Sequence, residues 1–165
     1  MIEPIVARAY MKISTTYVLS SARERVFAAL VDPELLRRSI PGCEELRLIE
    51  EDTYAARLKI GVAGLKGNYS GTAKIRDKRP PDALTLTVDG KGATGFVRGT
   101  ANIQLSVDPA GTRVACDADA QVGGLIAAVG SRLIETTARK LTDEFFQRLA
   151  SQIDSPAELT SDRDS

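Results

Sequence analysis

The chain has 165 residues, enough for one domain with its own core and no metal or disulfide staple. Basic and acidic residues balance at 22 each, so no cationic excess points to nucleic acid. Histidine is absent, which removes the commonest general base and the commonest transition-metal ligand. Cys43 and Cys116 lack CxxC spacing and read as inert thiols of a reducing compartment. No run approaches the length of a membrane span, and the N-terminus lacks a secretory pattern.

In chain order, Met1–Tyr10 has no clean period and reads as a peripheral leader (residues 1–10) ahead of a single domain at 11–153. Ile13, Thr15, Tyr17 and Leu19 alternate with polar neighbours, the pattern of a half-buried first strand. Ser20 or Ser21 then caps a helix, with Glu24 three residues after Ser21 as in a capping box. Its apolar face is Val26, Phe27, Leu30 and Val31. Asp32-Pro33 starts a second short helix anchored by Leu35, Leu36 and Ile40, and Pro41-Gly42 closes it.

Six strands follow. Leu46 and Leu48 belong to the first of these. Tyr54, Ala56, Leu58 and Ile60 alternate in the next. Tyr69, Gly71, Ala73 and Ile75 do so after a glycine-rich interruption, and Leu84, Leu86 and Val88 form another. The stretch 94–107 carries Val97, Ala101, Ile103, Leu105 and Val107. Val114, Cys116, Ala118, Ala120 and Val122 complete the set. Short turns join these six, so an antiparallel meander is expected. Apolar residues then recur at Val122, Ile126, Val129, Leu133, Thr137, Leu141, Phe145 and Leu149, the spacing of one long helix to Ile153. Residues 154–165 read as a flexible polar tail. The fold class is α+β: a curved antiparallel sheet wrapped around a long C-terminal helix.

Catalytic residues and metal ligands are not apparent. Cys43 has no histidine to activate it, and Glu44 and Glu45 beside it would raise its pKa. The carboxylates show no paired spacing. Tyr17, Tyr54 and Tyr69 point inward on three strands, and each needs a hydroxyl partner. Gly61, Gly64, Gly67 and Gly71 lack a phosphate-loop context and read as sharp turns, or as a pocket-mouth loop tipped by Val62 and Leu65. Gly123, Gly124 and Gly130 cost helix propensity, so the helix start is either loose or closely packed.

A sheet gripping a helix can leave an apolar gap or be filled completely, and periodicity does not decide between these. The candidate wall is Phe27, Leu30, Ile40, Tyr54, Leu58, Tyr69, Leu86, Val88, Ile103, Leu105, Leu125, Ile126, Val129 and Leu133. The candidate entrance is Pro41, Gly42, Gly61, Val62, Gly64, Leu65, Gly67, Gly123 and Gly124. Val62 and Leu65 beside Lys59 and Lys66 suggest transient contact with an anionic membrane surface.

ARERVFAALVDPELLRRSIPGCEEL (Ala22–Leu46) resembles the helix pair of the START-like (SRPBCC) helix-grip superfamily. YAARLKIGVAGLKGNYSGTAKI (Tyr54–Ile75), GKGATGFVRGTANIQL (Gly90–Leu105) and GGLIAAVGSRLIETTARKLTDEFF (Gly123–Phe146) resemble, more narrowly, the CoxG-like group associated with carbon monoxide dehydrogenase. The resemblance implies seven antiparallel strands, two short helices after the first, and a long helix enclosing a hydrophobic cavity. It implies an accessory protein that binds a quinone or lipid beside a molybdenum-containing hydroxylase and serves recruitment, maturation or electron-acceptor delivery. No cofactor is required by it, and it supplies no catalytic residues. The glycine-rich loop of the group maps to Gly61–Gly67, its PG turn to Pro41-Gly42 and its helix entry to Gly123-Gly124. Some members carry a long membrane-attaching extension, and the short polar tail to Ser165 argues against stable anchoring here. The expected location is cytoplasmic or peripheral at the inner membrane face, as a monomer or weak dimer. Two alternatives stay open: a docking factor without ligand, and a cyclase- or dehydratase-type enzyme acting on an apolar substrate.

Overall fold

The computed structural model describes residues 8–61 and 66–153. Val62, Gly64 and Leu65 of the candidate entrance lie outside the described residues, as does the tail from residue 154. Strand β1 (Arg8–Leu19) leads into α1 (Arg23–Leu30) and α2 (Pro33–Ser39). The meander follows as β2 (Cys43–Glu50), β3 (Thr53–Ile60), β4 (Gly67–Arg79), β5 (Ala83–Gly92), β6 (Gly95–Asp108) and β7 (Gly111–Gly124). The short α3 (Leu125–Ala128) and the long α4 (Ser131–Ile153) complete it. All seven strands form one antiparallel sheet in the order β1-β7-β6-β5-β4-β3-β2. The helix pair carries the chain from one edge of the sheet to the other. Strand β1 begins at Arg8, so 8–10, assigned by pattern to the leader, pair with the end of β7.

The main core lies at the α1 end. Val26, Phe27 and Leu30 of α1 meet Leu19, Ile75, Leu84, Ile103, Leu105, Val114, Phe146, Leu149 and Ile153. Tyr17 stacks on Phe146 with ring centroids 4.4 Å apart, and its hydroxyl donates to Asp143 Oδ1 at 2.5 Å, joining β1 to α4. Arg25 Nη2 donates to the Ile153 carbonyl at 2.9 Å, satisfying a terminal acceptor of α4. Asp32 caps α2 as its sequence context indicates, with Oδ1 accepting from the Glu34 and Leu35 amides and Pro33 in the first turn.

The cap position of α1 falls one residue later than Ser21. Ala22 occupies that position, and the Ser21 carbonyl accepts from Thr112 Oγ1 at 2.6 Å, a buried tie to β7.

The helix from Val122 is also interrupted. Ladder pairing to Arg8 and Gly95 keeps β7 extended through Gly124. One helical turn follows, and Gly130, at φ +103°, stops it. The 23-residue α4 spans roughly 35 Å. The break resets the helical phase, so Ile134 rather than Leu133 enters the core. Leu48 and Val107, read as apolar strand positions, are exposed.

Candidate ligand-binding site

The strand registers set out the inner face in cross-strand rows. Nearest α3 is Leu58, Tyr69, Gly92, Gly95 and Gly124. Next come Ala56, Gly71, Gly90, Val97 and Val122, and then Tyr54, Ala73, Val88, Gly99, Ala120 and Met11. A further row holds Ile75, Leu86, Ala101, Ala118 and Ile13. The middle rows are therefore built mostly from glycine and alanine, which raise little side-chain volume above the sheet.

The bulky side chains gather on either side of this belt. The main core closes one end. A second cluster of Tyr69, Val122, Ile126 and Ile134, flanked by Leu58, Ile60, Met11, Val97 and Leu141, closes the other. Helix α4 runs close to α2 and β1, and its Ile134 and its Phe146 and Leu149 join the two clusters. Val88, inward by alternation, joins neither cluster and is 36% exposed. Leu86 and Ala101 beside it are only half-buried. The centre of the inner face is thus a partly exposed belt of small apolar residues between two packed ends.

The candidate wall residues divide accordingly. Phe27, Leu30, Tyr54, Ile103 and Leu105 are packed in the main core. Tyr69 and Ile126 belong to the second cluster, with Leu58 against it, and Ile40 is half-buried after α2. Leu86 and Val88 lie on this partly exposed belt. Leu125, Val129 and Leu133 are 70%, 45% and 40% exposed, a surface patch at the α3–α4 break rather than an inner wall. The small residues Ala73, Gly99, Ala101, Ala118 and Ala120 were absent from the sequence-derived wall. Their signal was period-two alternation of small residues on adjacent strands, which carries meaning only once the register is known.

The entrance glycines converge at the α3 end. The Gly42 carbonyl accepts from the Lys59 amide at 2.8 Å, fastening the loop after α2 to β3 beside Gly61. The Ile126 amide donates to the Thr94 carbonyl at 2.9 Å, fastening α3 to the β5–β6 turn. A Cβ at Gly123 would lie 2.1 Å from Cε2 of Phe96, and Gly124 sits at φ +80° against Gly95. Close packing therefore accounts for Gly123 and Gly124, whereas Gly130 faces open space.

Neither thiol is activated. Burial, the main cause in both cases, raises Cys43 and Cys116 above the ordinary thiol range. Burial, and then the hydrogen bond to Asp143, pushes Tyr17 up to about 12. Burial likewise raises Tyr54. Tyr69 Oη lies 3.3 Å from Thr94 Oγ1 in the α3-end row. Among the described residues no group of three His, Cys, Asp or Glu could hold a metal ion, and no helix is long and apolar enough to cross a membrane.

The outer face carries a different feature, an open trough of about 820 Å³ across all seven strands. Its floor is Thr72, Lys74, Thr87, Asp89, Arg98, Thr100 and Asp119, with Lys12 and Tyr10 at one side. Lys12–Asp119 at 3.7 Å and Arg98–Asp89 at 3.5 Å balance its charge. Met11, Val88, Gly99 and Ala120 also line it, so its lining is mixed polar and apolar.

Comparison with known proteins agrees with this architecture. A conserved protein from Geobacillus kaustophilus is 34% identical, with a TM-score of 0.80 over 89% of this chain and 95% of that one. An uncharacterized protein from Rhizobium leguminosarum, 17% identical, superposes with a TM-score of 0.70 over 92% and 99%. A Staphylococcus aureus protein of unknown function, 10% identical, gives 0.70 over 92% and 98%. These last two share the fold. No curated protein matches the sequence. The model of the carbon monoxide dehydrogenase CoxG family matches residues 17–154. With its seven strands, paired short helices and long C-terminal helix, the chain belongs to the CoxG family, within the START-like helix-grip fold.

Proposed function

We propose that this protein is a non-catalytic carrier that takes an apolar small molecule, a quinone or lipid, into the cleft between α4 and the middle of the sheet. The observation behind this reading is Val88: an inward valine that stays 36% exposed between two closed clusters, over a belt of glycine and alanine. Covering such a surface with an apolar ligand yields roughly 25 cal/mol per Å² removed from water. Family membership supports an accessory role beside a molybdenum-containing, CO dehydrogenase-type hydroxylase, delivering an electron acceptor or aiding recruitment or maturation. The exposed Leu125, Val129 and Leu133 would then meet the partner enzyme or a membrane surface during transfer.

The test is titration of the purified protein with a short-tailed benzoquinone and, separately, with a medium-chain phospholipid below its micellar concentration. Both are followed by native mass spectrometry. A saturable one-to-one complex with either probe supports the reading, and none with either overturns it. The second reading, a docking factor without ligand, draws on the same exposed patch. A hydroxylase complex that forms normally with Val88→Trp but fails with Leu125→Asp/Val129→Asp would favour it.

A further inference from the structure

The sheet has two edges, β1 and β2. An edge strand presents amides and carbonyls that another chain can pair with, and proteins guard it with bulges, charges or proline. Strand β2 is guarded: its register with β3 shifts at Cys43/Glu45 and again at Leu48/Glu50, and it carries Glu44, Glu45, Arg47 and Glu50. Strand β1 is not. Its twelve residues keep an unbroken register with β7 and include neither proline nor glycine. Between Ala9 and Leu19 its only charge is Lys12, which Asp119 of the neighbouring strand meets at 3.7 Å. Among the described residues no backbone hydrogen bond from a loop or helix reaches β1. Helix α4 packs on its inner face through the Tyr17–Phe146 stack. On the outer face Tyr10 is 71% and Val18 50% exposed, with Lys12, Ser14 and Thr16 exposed between them.

This spacing is complementary to a second copy of itself. A two-fold axis at Ser14 sets Ser14 against Ser14, Lys12 against Thr16 and Tyr10 against Val18, the last two pairs occurring twice. An aromatic residue opposite a β-branched one is a favourable cross-strand pair. The two Lys12 positions then lie four residues apart along the strands, roughly 13 Å, beyond the screening length of about 8 Å at physiological salt. Neighbouring registers are worse. An axis at Lys12 opposes the two ammoniums directly, and one at Ile13 leaves them two residues apart. An axis at Thr15 or Thr16 carries Tyr10 past the end of the partner strand, and registers between these set outer residues against inner ones. We infer that β1 is a self-pairing edge, through which two copies of this chain join antiparallel about a two-fold axis at Ser14 into one continuous sheet. The Arg8 end of β1 lies beside Gly123 and so near α3. The join therefore sends the two α3 ends to opposite ends of the dimer and leaves both apolar patches there free. Strand pairing by itself is small next to the roughly 1,200–2,000 Å² of a stable interface, so the dimer is weak and concentration-dependent.

Sedimentation velocity and amide hydrogen exchange on the full chain test this. The wild type should pass from monomer to dimer as its concentration rises into the millimolar range, and the β1 amides should gain protection in step. Tyr10→Lys/Val18→Lys sets like charges opposite each other twice and should weaken the dimer by at least about tenfold. Tyr10→Glu/Val18→Glu should do the same, and an equimolar mixture of the two variants should regain a dimer. Both positions are exposed, so each variant should melt close to the wild type. A wild type that stays monomeric throughout would overturn the assignment, as would a dimer that both variants leave intact or variants that fail to pair on mixing. Should a variant not fold, the wild-type series still decides, since association without added protection of the β1 amides also overturns it.

Discussion

Replacing Val88 with phenylalanine separates an open cleft from a filled one. In a packed interior the larger ring must displace neighbours, at a cost of about 1–3 kcal/mol. For a chain of this size that lowers Tm by roughly 2–4 °C for each kcal/mol. Val88 is 36% exposed, and Ala73, Gly99 and Ala101 on the neighbouring strands place little volume beside it. The ring can lie down over this row, so the expected change in stability is within about 0.5 kcal/mol of zero, as at a surface position. Binding should respond differently. An aromatic ligand body buries on the order of 150–250 Å². At about 25 cal/mol per Å² that is roughly 4–6 kcal/mol before binding costs. If the new ring occupies a third of that area, affinity falls by at least about tenfold. Ile103→Phe is the control: Ile103 is packed in the main core, so the same ring should cost about 1–3 kcal/mol there. Urea unfolding of both variants with quinone titration is the assay. Val88→Phe losing as much stability as Ile103→Phe, with unchanged binding, would refute the open cleft.

Other outcomes follow from particular contacts. Tyr17 titrates near 12 when folded against an ordinary value near 10, so the stability it gives is full below pH 10 and lost as pH rises toward 12. Solvent screening of this half-exposed group limits the effect to about 1 kcal/mol. Tyr17→Phe should flatten that part of the stability–pH curve, and identical slopes would remove the assignment. Gly123→Ala should cost about 1–3 kcal/mol by driving a methyl into the Phe96 ring, and Phe96→Ala in the same chain should recover much of it in a double-mutant thermal-melt cycle. Asp32→Ala should destabilise by about 1 kcal/mol through loss of the α2 cap, measured by urea unfolding. Cys116 should react with an aromatic disulfide reagent far more slowly in the native protein than in urea, since burial both shields the thiol and raises its pKa.

Much of the fold was legible because alternation on the strands and the Asp32-Pro33 cap are local signals that the tertiary structure leaves in place. The Gly123, Gly124 and Gly130 signal was also present, but apolar periodicity ran through it and suggested one continuous helix. Only pairing of β7 with β1 and β6 shows why the strand persists to Gly124. The site was less legible for a related reason. Large hydrophobic residues attract attention in a sequence, and Phe27, Leu30, Ile103 and Leu105 proved to be packed core. The proposed cleft is defined by what is missing above the sheet, over Ala73, Gly99, Ala101, Ala118 and Ala120. Those become a surface only when four strands are placed in register. Thr94, in a turn after two glycines, becomes a partner of Tyr69 by the same assembly.

The most direct measurement is methyl and amide chemical-shift mapping of the protein during titration with a short-tailed benzoquinone. The cleft account requires shifts centred on Leu86, Ala101 and Ala118, which the trough does not include. Shifts centred instead on the outer trough at Thr72, Thr87 and Thr100, or no saturable shift at all, would contradict it.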